Sequence, residues 1–397
     1  MEGLGASLRA ILLASLFVVL LVSWCDHIIL ILSNKPLCFF DKPIYNTTMK
    51  RTGRPTIKDL AQRAGVSKTA VSFAFNAPER LSKETCTKIL SIAQELGYVP
   101  DPMARGLARK KTQCIGILLP QSIAFIFQNP YITELLRGIG EECEKEKFSI
   151  LVLSPLEGIF THALYNAVVD GVIILGAASD SDVHTLCRQR GLPYVTIDAG
   201  FSTDCVNVGI DDEKAAYELA KLLVQAGHKK ICVCTLQPLS KNLESSGSSE
   251  TIRNRCKGID RAVQEQDDIV VEYHEVGTSY ESSLIAARSL LSQTPAPTAV
   301  LCMADVQAYG FYRVIQEQGR SIPKDLSIAT FDNLPQSQLL HPKPSTVDQP
   351  GFQKGLRAAV ELFKLLSDQK DFPKQEAQSV VLDFQILNTG SIAPPSV

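Results

Sequence analysis

Ser67, Lys68 and Thr69 open a segment that reads as the start of a helix, and each can do chemistry there. A hydroxyl at a helix N-cap accepts a backbone amide, and the remaining free amides favour an anion such as phosphate. Thr56 stands in the same relation to an earlier segment, so Thr56 and Ser67 are both candidate phosphate contacts. Lys68 and Thr69 lie one and two residues further in, where side chains can reach the edges of bases. A lone lysine is ordinarily a solvated surface group. What gives Lys68 weight is the set of elements that would position it.

Ile57, Leu60, Ala61 and Ala64 recur at i, i+3, i+4 and i+7, the apolar stripe of one amphipathic helix. Gly65 breaks that pattern, and Ser67 caps a second helix that turns Ala70, Val71, Ala74 and Phe75 inward. A third helix over 82–96 has its cap at Ser82 and its stop at Gly97, and supplies Ile89, Ile92, Ala93 and Leu96. Helix, tight turn at a glycine, helix is the helix-turn-helix signature, whose second helix enters the DNA major groove. Pro100-Asp101-Pro102 ends this head, because prolines discourage the residues before them from continuing a helix.

The charge distribution fits that reading. The net charge of -2 conceals 13 Lys/Arg against 5 Asp/Glu over residues 49–113, and 24 against 34 from Cys114 onward. A small basic module on a larger acidic body suits polyanion binding at one end only. The 11 cysteines are scattered singly, apart from Cys232 and Cys234 in an apolar run whose strand geometry would turn both to one face. No second Cys/His pair stands at zinc-like spacing, so buried, reduced thiols of a cytoplasmic protein are expected, without a metal. No G-x-G-x-x-G follows a strand, no P-loop is present, and His162, His184, His228, His274 and His341 lie apart from any nucleophile at recognised spacing. Neither an enzyme nor a cofactor is expected.

From Cys114 the pattern changes to apolar strands at 115–119, 148–153, 171–175 and 194–197 alternating with helices such as 132–145. It restarts near Asp211 with a helix over 213–226 and a strand over 230–235. Such alternation implies parallel, doubly wound sheets, and at 397 residues there is room for two similar subdomains behind the head. The expected fold class is therefore α followed by α/β.

The run T-I-K-D-L-A-x-x-A-G-V-S-K-x-x-V-S from Thr56, then Asn76 and L-G-Y-x-P at 96–100, resembles the LacI family of bacterial transcription regulators. The resemblance continues through Asn129-Pro130-Tyr131, Asp170-Gly171, Gly227-His228, Ile322-Pro323, Phe331-Asp332 and Thr346-Val347-Asp348-Gln349-Pro350. It implies a head at 54–99, a hinge helix and linker at 100–112, and a two-lobed body at 113–397 similar to periplasmic sugar-binding proteins. With three crossings between lobes, lobe 1 is expected at about 114–212 and 324–350, and lobe 2 at about 213–323 and 351–397.

Residue by residue, the resemblance makes Phe73 a third base reader, departing from the family's polar residue and suited to a thymine methyl instead. It makes Asn76 a backbone contact, and Leu107, beside Ala104 at i-3, the minor-groove wedge of the hinge helix. Gly106 departs from a good hinge helix at a cost of about 1 kcal/mol. In the cleft between lobes it places Tyr131 as an aromatic wall, Arg255 as a bidentate anchor, Asp305 as an acceptor for hydroxyls, and Asp198 as a further candidate. Ala304 departs from the family's Asn before that aspartate. The implied partners are a pseudo-palindromic double-stranded operator, a small-molecule effector of carbohydrate type, and a second copy of the chain, in a dimer or a higher oligomer. Repression is the family's usual mode.

Residues 1–48 lie outside the resemblance and form an apolar N-terminal extension, with runs at 10–24 and 28–32. An export signal, a membrane anchor over 10–32, and translation starting at Met49 are the competing readings, and the last is the expectation, because family members begin just before the head. The alternative function is an exported or membrane-tethered sugar-binding protein, which would lack the helix-turn-helix. The expected location is the cytoplasm, or the inner membrane with the head on the cytoplasmic side.

Overall fold

The computed structural model describes residues 55–100, 111–119, 123–154, 160–176, 182–199, 205–236, 250–367 and 379–396. The extension at 1–48 and the hinge residues Ala104 and Leu107 lie outside the described residues. The chain divides into two compact units, residues 1–100 and 101–397.

In the first unit, α1 (Ile57–Ala64) begins at a reciprocal cap. Thr56 Oγ1 accepts the Asp59 amide at 3.4 Å, and Asp59 Oδ2 accepts the Thr56 amide at 2.9 Å. Gly65 ends the helix at φ +69°, a left-handed conformation that a Cβ would strain. Helix α2 (Lys68–Asn76) starts where Ser67 Oγ accepts the Ala70 amide at 3.0 Å. Helix α3 (Lys83–Leu96) runs from its Ser82 cap to Gly97. Leu60, Ala61, Ala64, Val71, Ala74, Ile89 and Ala93 form the core, with Phe75, Ile92 and Leu96 packed half-buried around it.

The second unit contains two six-stranded sheets. The first joins β1 (Cys114–Leu118), β2 (Ser149–Leu153), β3 (Gly171–Leu175), β4 (Tyr194–Ile197), β5 (Asn207–Gly209) and β11 (Val380–Val381) in the order β11-β5-β4-β3-β1-β2, all parallel. Between its strands run α4 (Ile123–Ile126), α5 (Pro130–Glu146), α6 (Phe160–Tyr165) and α7 (Asp182–Arg190). The second joins β6 (Lys230–Thr235), β7 (Val270–Glu275), β8 (Ala299–Cys302), β9 (Ser327–Phe331), β10 (Ser345–Asp348) and β12 (Gln385–Leu387) in the order β12-β10-β9-β8-β6-β7. Only β12 runs antiparallel to its neighbour there. Helices α8 (Asp212–Gln225), α9 (Glu250–Val263), α10 (Tyr280–Leu291) and α11 (Asp305–Glu317) belong to this second lobe.

The lobe boundaries expected from sequence need correction. Strands β9 and β10 pair inside the second sheet, so 324–350 belongs to lobe 2. Helix α12 (Gly351–Ser367) packs on α5 and beneath β3, β4 and β5, and β11 pairs with β5, so 351–367 and 380–381 return to lobe 1. The physical reason is the crossover after β8: α11 leads back to a strand whose register, Ala299 opposite Ser327, places it beside β8. Alternation of strands and helices fixes an α/β unit, but not the sheet that each strand joins. Among the described residues there are three crossings, after β5, β10 and β11.

Each sheet is covered on both faces. In β6, Ile231 and Val233 face α8 and α9, while Cys232 and Cys234 face the opposite core beside Cys302. Burial pushes the Cys232 thiol up to about 12, so it is a neutral apolar filler. Three helix pairs cross at backbone contact, α8 with α9, α5 with α12, and α10 with α11. A Cβ on Gly258 would lie 2.1 Å from the Glu213 carbonyl, and one on Gly355 2.1 Å from that of Leu135.

Candidate functional site

In the head, the first turn of α2 presents Lys68 and Thr69 to solvent. The side chains of Thr56 and Ser67 are engaged in capping, so any phosphate contact at these helix ends uses free backbone amides. Phe73 is half-buried, and the Arg80 guanidinium lies 5.2 Å from its ring centroid. Asn76, at the far end of α2, donates from Nδ2 to Ser72 Oγ at 3.3 Å. Lys68, Thr69 and Phe73 therefore share one short helix, with Arg80 brought alongside from the following 3-10 turn, Pro78–Arg80. Sequence reasoning missed Arg80; its position, seven residues after an aromatic on the reading helix, was the available signal.

In the body, the four cleft candidates gather where the lobes meet, on a polar network that spans the crossings. Tyr131 follows the Asn129 cap of α5, and its hydroxyl donates to Asp198 Oδ2 at 2.9 Å. Asp198 follows β4 at φ +53°. Lys354, fully buried on α12, donates to Asp198 Oδ1 at 2.7 Å, Gln349 Oε1 at 2.9 Å and the Tyr131 hydroxyl at 3.0 Å. Gln349 lies at the second crossing and donates to Asp332 Oδ1.

Arg255, 3 % exposed on α9, reaches the same glutamine from lobe 2. Its Nε donates to Asp212 Oδ1 at 2.8 Å and its Nη1 to the Met303 carbonyl at 2.6 Å, while the guanidinium lies 3.9 Å from the Phe331 ring centroid. Gly258, one turn later, lets α9 approach α8 closely enough for the Asp212 pair to form. Asp305 starts α11 and is fully enclosed. Its Oδ2 accepts the Leu334 amide at 2.7 Å and the Ser337 hydroxyl at 2.6 Å, and its own amide donates to Asp332 Oδ2 at 3.2 Å. Thr251 ties the lobes directly, donating to the Asp198 carbonyl at 3.1 Å.

Four carboxylates thus stand against two cations. Burial raises Asp305 to about 6 and Asp332 to about 7, and Asp305 pushes Asp332 further in the same direction. Protonation there relieves the surplus of negative charge. Burial also raises Asp212, opposed by Arg255. Between Asp198, Asn207, Gly209, Asp212, Thr251 and Asn254 remains a cavity of ≈ 20 Å³, enough for a single water. No group of His, Cys, Asp or Glu among the described residues could hold a metal ion. Sequence reasoning found Tyr131, Asp198, Arg255 and Asp305 but not Lys354, Gln349, Asp212 or Asp332 in this network.

A capped helix-turn-helix, followed in the same chain by a two-lobed α/β body with a polar seam, defines a class of protein: DNA-binding regulators that carry a small-molecule-binding module. Comparison with known proteins gives the particular family. Residues 56–101 match the bacterial regulatory proteins of the lacI family, and residues 112–385 match the periplasmic binding proteins and sugar-binding domain of the LacI family. The chain belongs to the LacI family of DNA-binding transcriptional regulators.

It is 29% identical over 341 residues to the ribose operon repressor of Haemophilus influenzae, covering 83% of this chain and 96% of that protein. It is 30% identical over 329 residues to the HTH-type transcriptional repressor PurR of Pasteurella multocida, covering 80% and 93%. Its fold is similar to that of the lac repressor dimer bound to operator and the anti-inducer ONPF, with a TM-score of 0.69 at 23% identity, covering 86% of this chain and all of that one. The exported binding-protein reading finds no support, because the DNA-binding match lies in the same chain. No described helix is long and apolar enough to cross a membrane.

Proposed function

We propose that this chain is a homodimeric repressor that reads a pseudo-palindromic operator, with its DNA affinity set by a sugar or sugar derivative held between the lobes. The observation that carries this reading is the exposed pair Lys68 and Thr69 at the capped start of α2, the position from which a recognition helix reaches base edges. Symmetric operators follow from two heads related by a two-fold axis. Tyr131, Asp198, Arg255 and Asp305 combine an aromatic wall with charged groups, which bind hydroxyls more strongly than neutral ones do. A relative that acts on a ribose operon supports a carbohydrate effector. Such a regulator works with its head in the cytoplasm.

The test is selection of fragments from a random duplex pool by the purified full chain, with and without a panel of pentoses, hexoses and nucleosides. An enriched two-fold symmetric site, released or tightened by one member of the panel, is expected. Enrichment of no symmetric site would overturn the reading.

A further inference from the structure

Each of the four side chains assigned above to effector binding already has a partner from the chain itself, and only Asp305 Oδ1 among their carboxylate oxygens has none. Asp198 receives Lys354 on one carboxylate oxygen and Tyr131 on the other. Arg255 is held by Asp212, the Met303 carbonyl and Gln349. Asp305 Oδ2 receives Leu334 and Ser337. At the centre stands Lys354, whose ammonium has three donors and meets three acceptors, with no exposed surface. Burying an ammonium is costly unless it is paired and fully hydrogen-bonded, so its position on the buried stripe of α12, with Gly351, Gly355 and Ala358, requires this set of partners.

The acceptors that surround the lysine are a carboxylate, a phenol and an amide, the groups that would otherwise receive an effector's hydroxyls. Two of them, Asp198 and Tyr131, belong to lobe 1. The third, Gln349, lies at the crossing and continues to Arg255 and Asp332 in lobe 2. A continuous chain of charge-assisted bonds therefore runs from one lobe to the other through a side chain of the protein. We propose that Lys354 is a tethered surrogate for an effector's polar groups, and that it holds the lobes together with no small molecule bound. The inference rests on reading this seam as the effector site. An effector would then act by displacing the Lys354 ammonium from Asp198 and Tyr131.

The experiment compares wild-type full-length protein with Lys354→Met and with Lys354→Met/Asp198→Asn, which removes both charges and keeps the shape. All are measured without DNA or sugar, by amide hydrogen exchange and small-angle X-ray scattering. In both variants exchange at the crossings (210–212, 349–350 and 382–384) should rise on the order of tenfold while the sheet cores keep their protection, with a larger radius of gyration. Wild-type exchange at the crossings in the variants, or a rise spread evenly through the body, would overturn the proposal. If Lys354→Met alone fails to fold, the neutral double variant is read by the same criteria. Because neither DNA nor effector is present, failure here is separable from failure of the operator reading.

Discussion

Two of the carboxylates in the interlobe seam, Asp198 and Asp332, stand at φ +53° and +111°, where L side chains are strained. Nothing in the sequence marks that conformation. Residue type and spacing did mark Tyr131, Asp198, Arg255 and Asp305, through the resemblance. Lys354 was missed because lysine ordinarily lies in water, yet it sits three residues after Gly351 and four before Ala358, on the apolar stripe of its helix. A cation on a buried stripe needs a counter-charge, and that signal was available.

The same seam carries a pH dependence. Asp332 faces the Asp305 carboxyl, Arg255 and Gln349, and its folded value of about 7 lies well above that of an unfolded aspartate. The native state therefore holds a proton that the unfolded chain releases. Its stabilising contribution is complete below about pH 4 and is lost as the pH rises through about 7. Thermal melts should show a body transition that falls between pH 5.5 and 8, and Asp332→Asn should flatten that trend. An unchanged slope in the variant would reject the assignment. In the head, Lys68→Ala should cost about 1–3 kcal/mol on the selected operator and relax preference at one base pair. Equal weakening on all sequences, with a salt slope reduced by about 0.9 per subunit, would make Lys68 a phosphate contact instead.

At the scale of elements, caps and stripes were the legible features. Thr56, Ser67 and Ser82 cap the three head helices, and Gly65 and Gly97 stand just past the C-terminal ends of the first and third, because capping depends on residues adjacent in sequence. Sheet membership was not legible, since pairing of β9 with β8 and of β11 with β5 depends on contacts far apart in sequence. Close helix crossings were equally hidden. The reason for Gly258 is steric: a methyl there meets the α8 backbone. Gly258→Ala should destabilise the body by about 1–3 kcal/mol through overpacking. It should also move α9, and with it Arg255, away from Asp212, one turn along the same helix face. Melting and effector titration of the same variant check both effects. A variant with lowered stability and unchanged effector affinity would show that Gly258 positions nothing.

For the whole molecule, the contrast between the two units sets how binding and stability are linked. The head buries seven apolar side chains in one small core, whereas the body has extensive cores on both faces of two sheets. Small domains bury a smaller fraction of their surface and are correspondingly marginal. Amides of α1, α2 and α3 should therefore exchange through openings of lower free energy than those of β3 or β8, in the free protein. Operator DNA binds the folded head and not its unfolded chain, so at about 100 times the dissociation constant it should add about 2.7 kcal/mol of protection. That increment belongs to residues 57–96 if the head opens by itself. Hydrogen exchange on the full chain, with selected operator and with scrambled duplex, reads it directly. Protection that rises equally in the head helices and in the two sheets would mean that the units open together, and the division at residue 100 would not describe how the molecule unfolds.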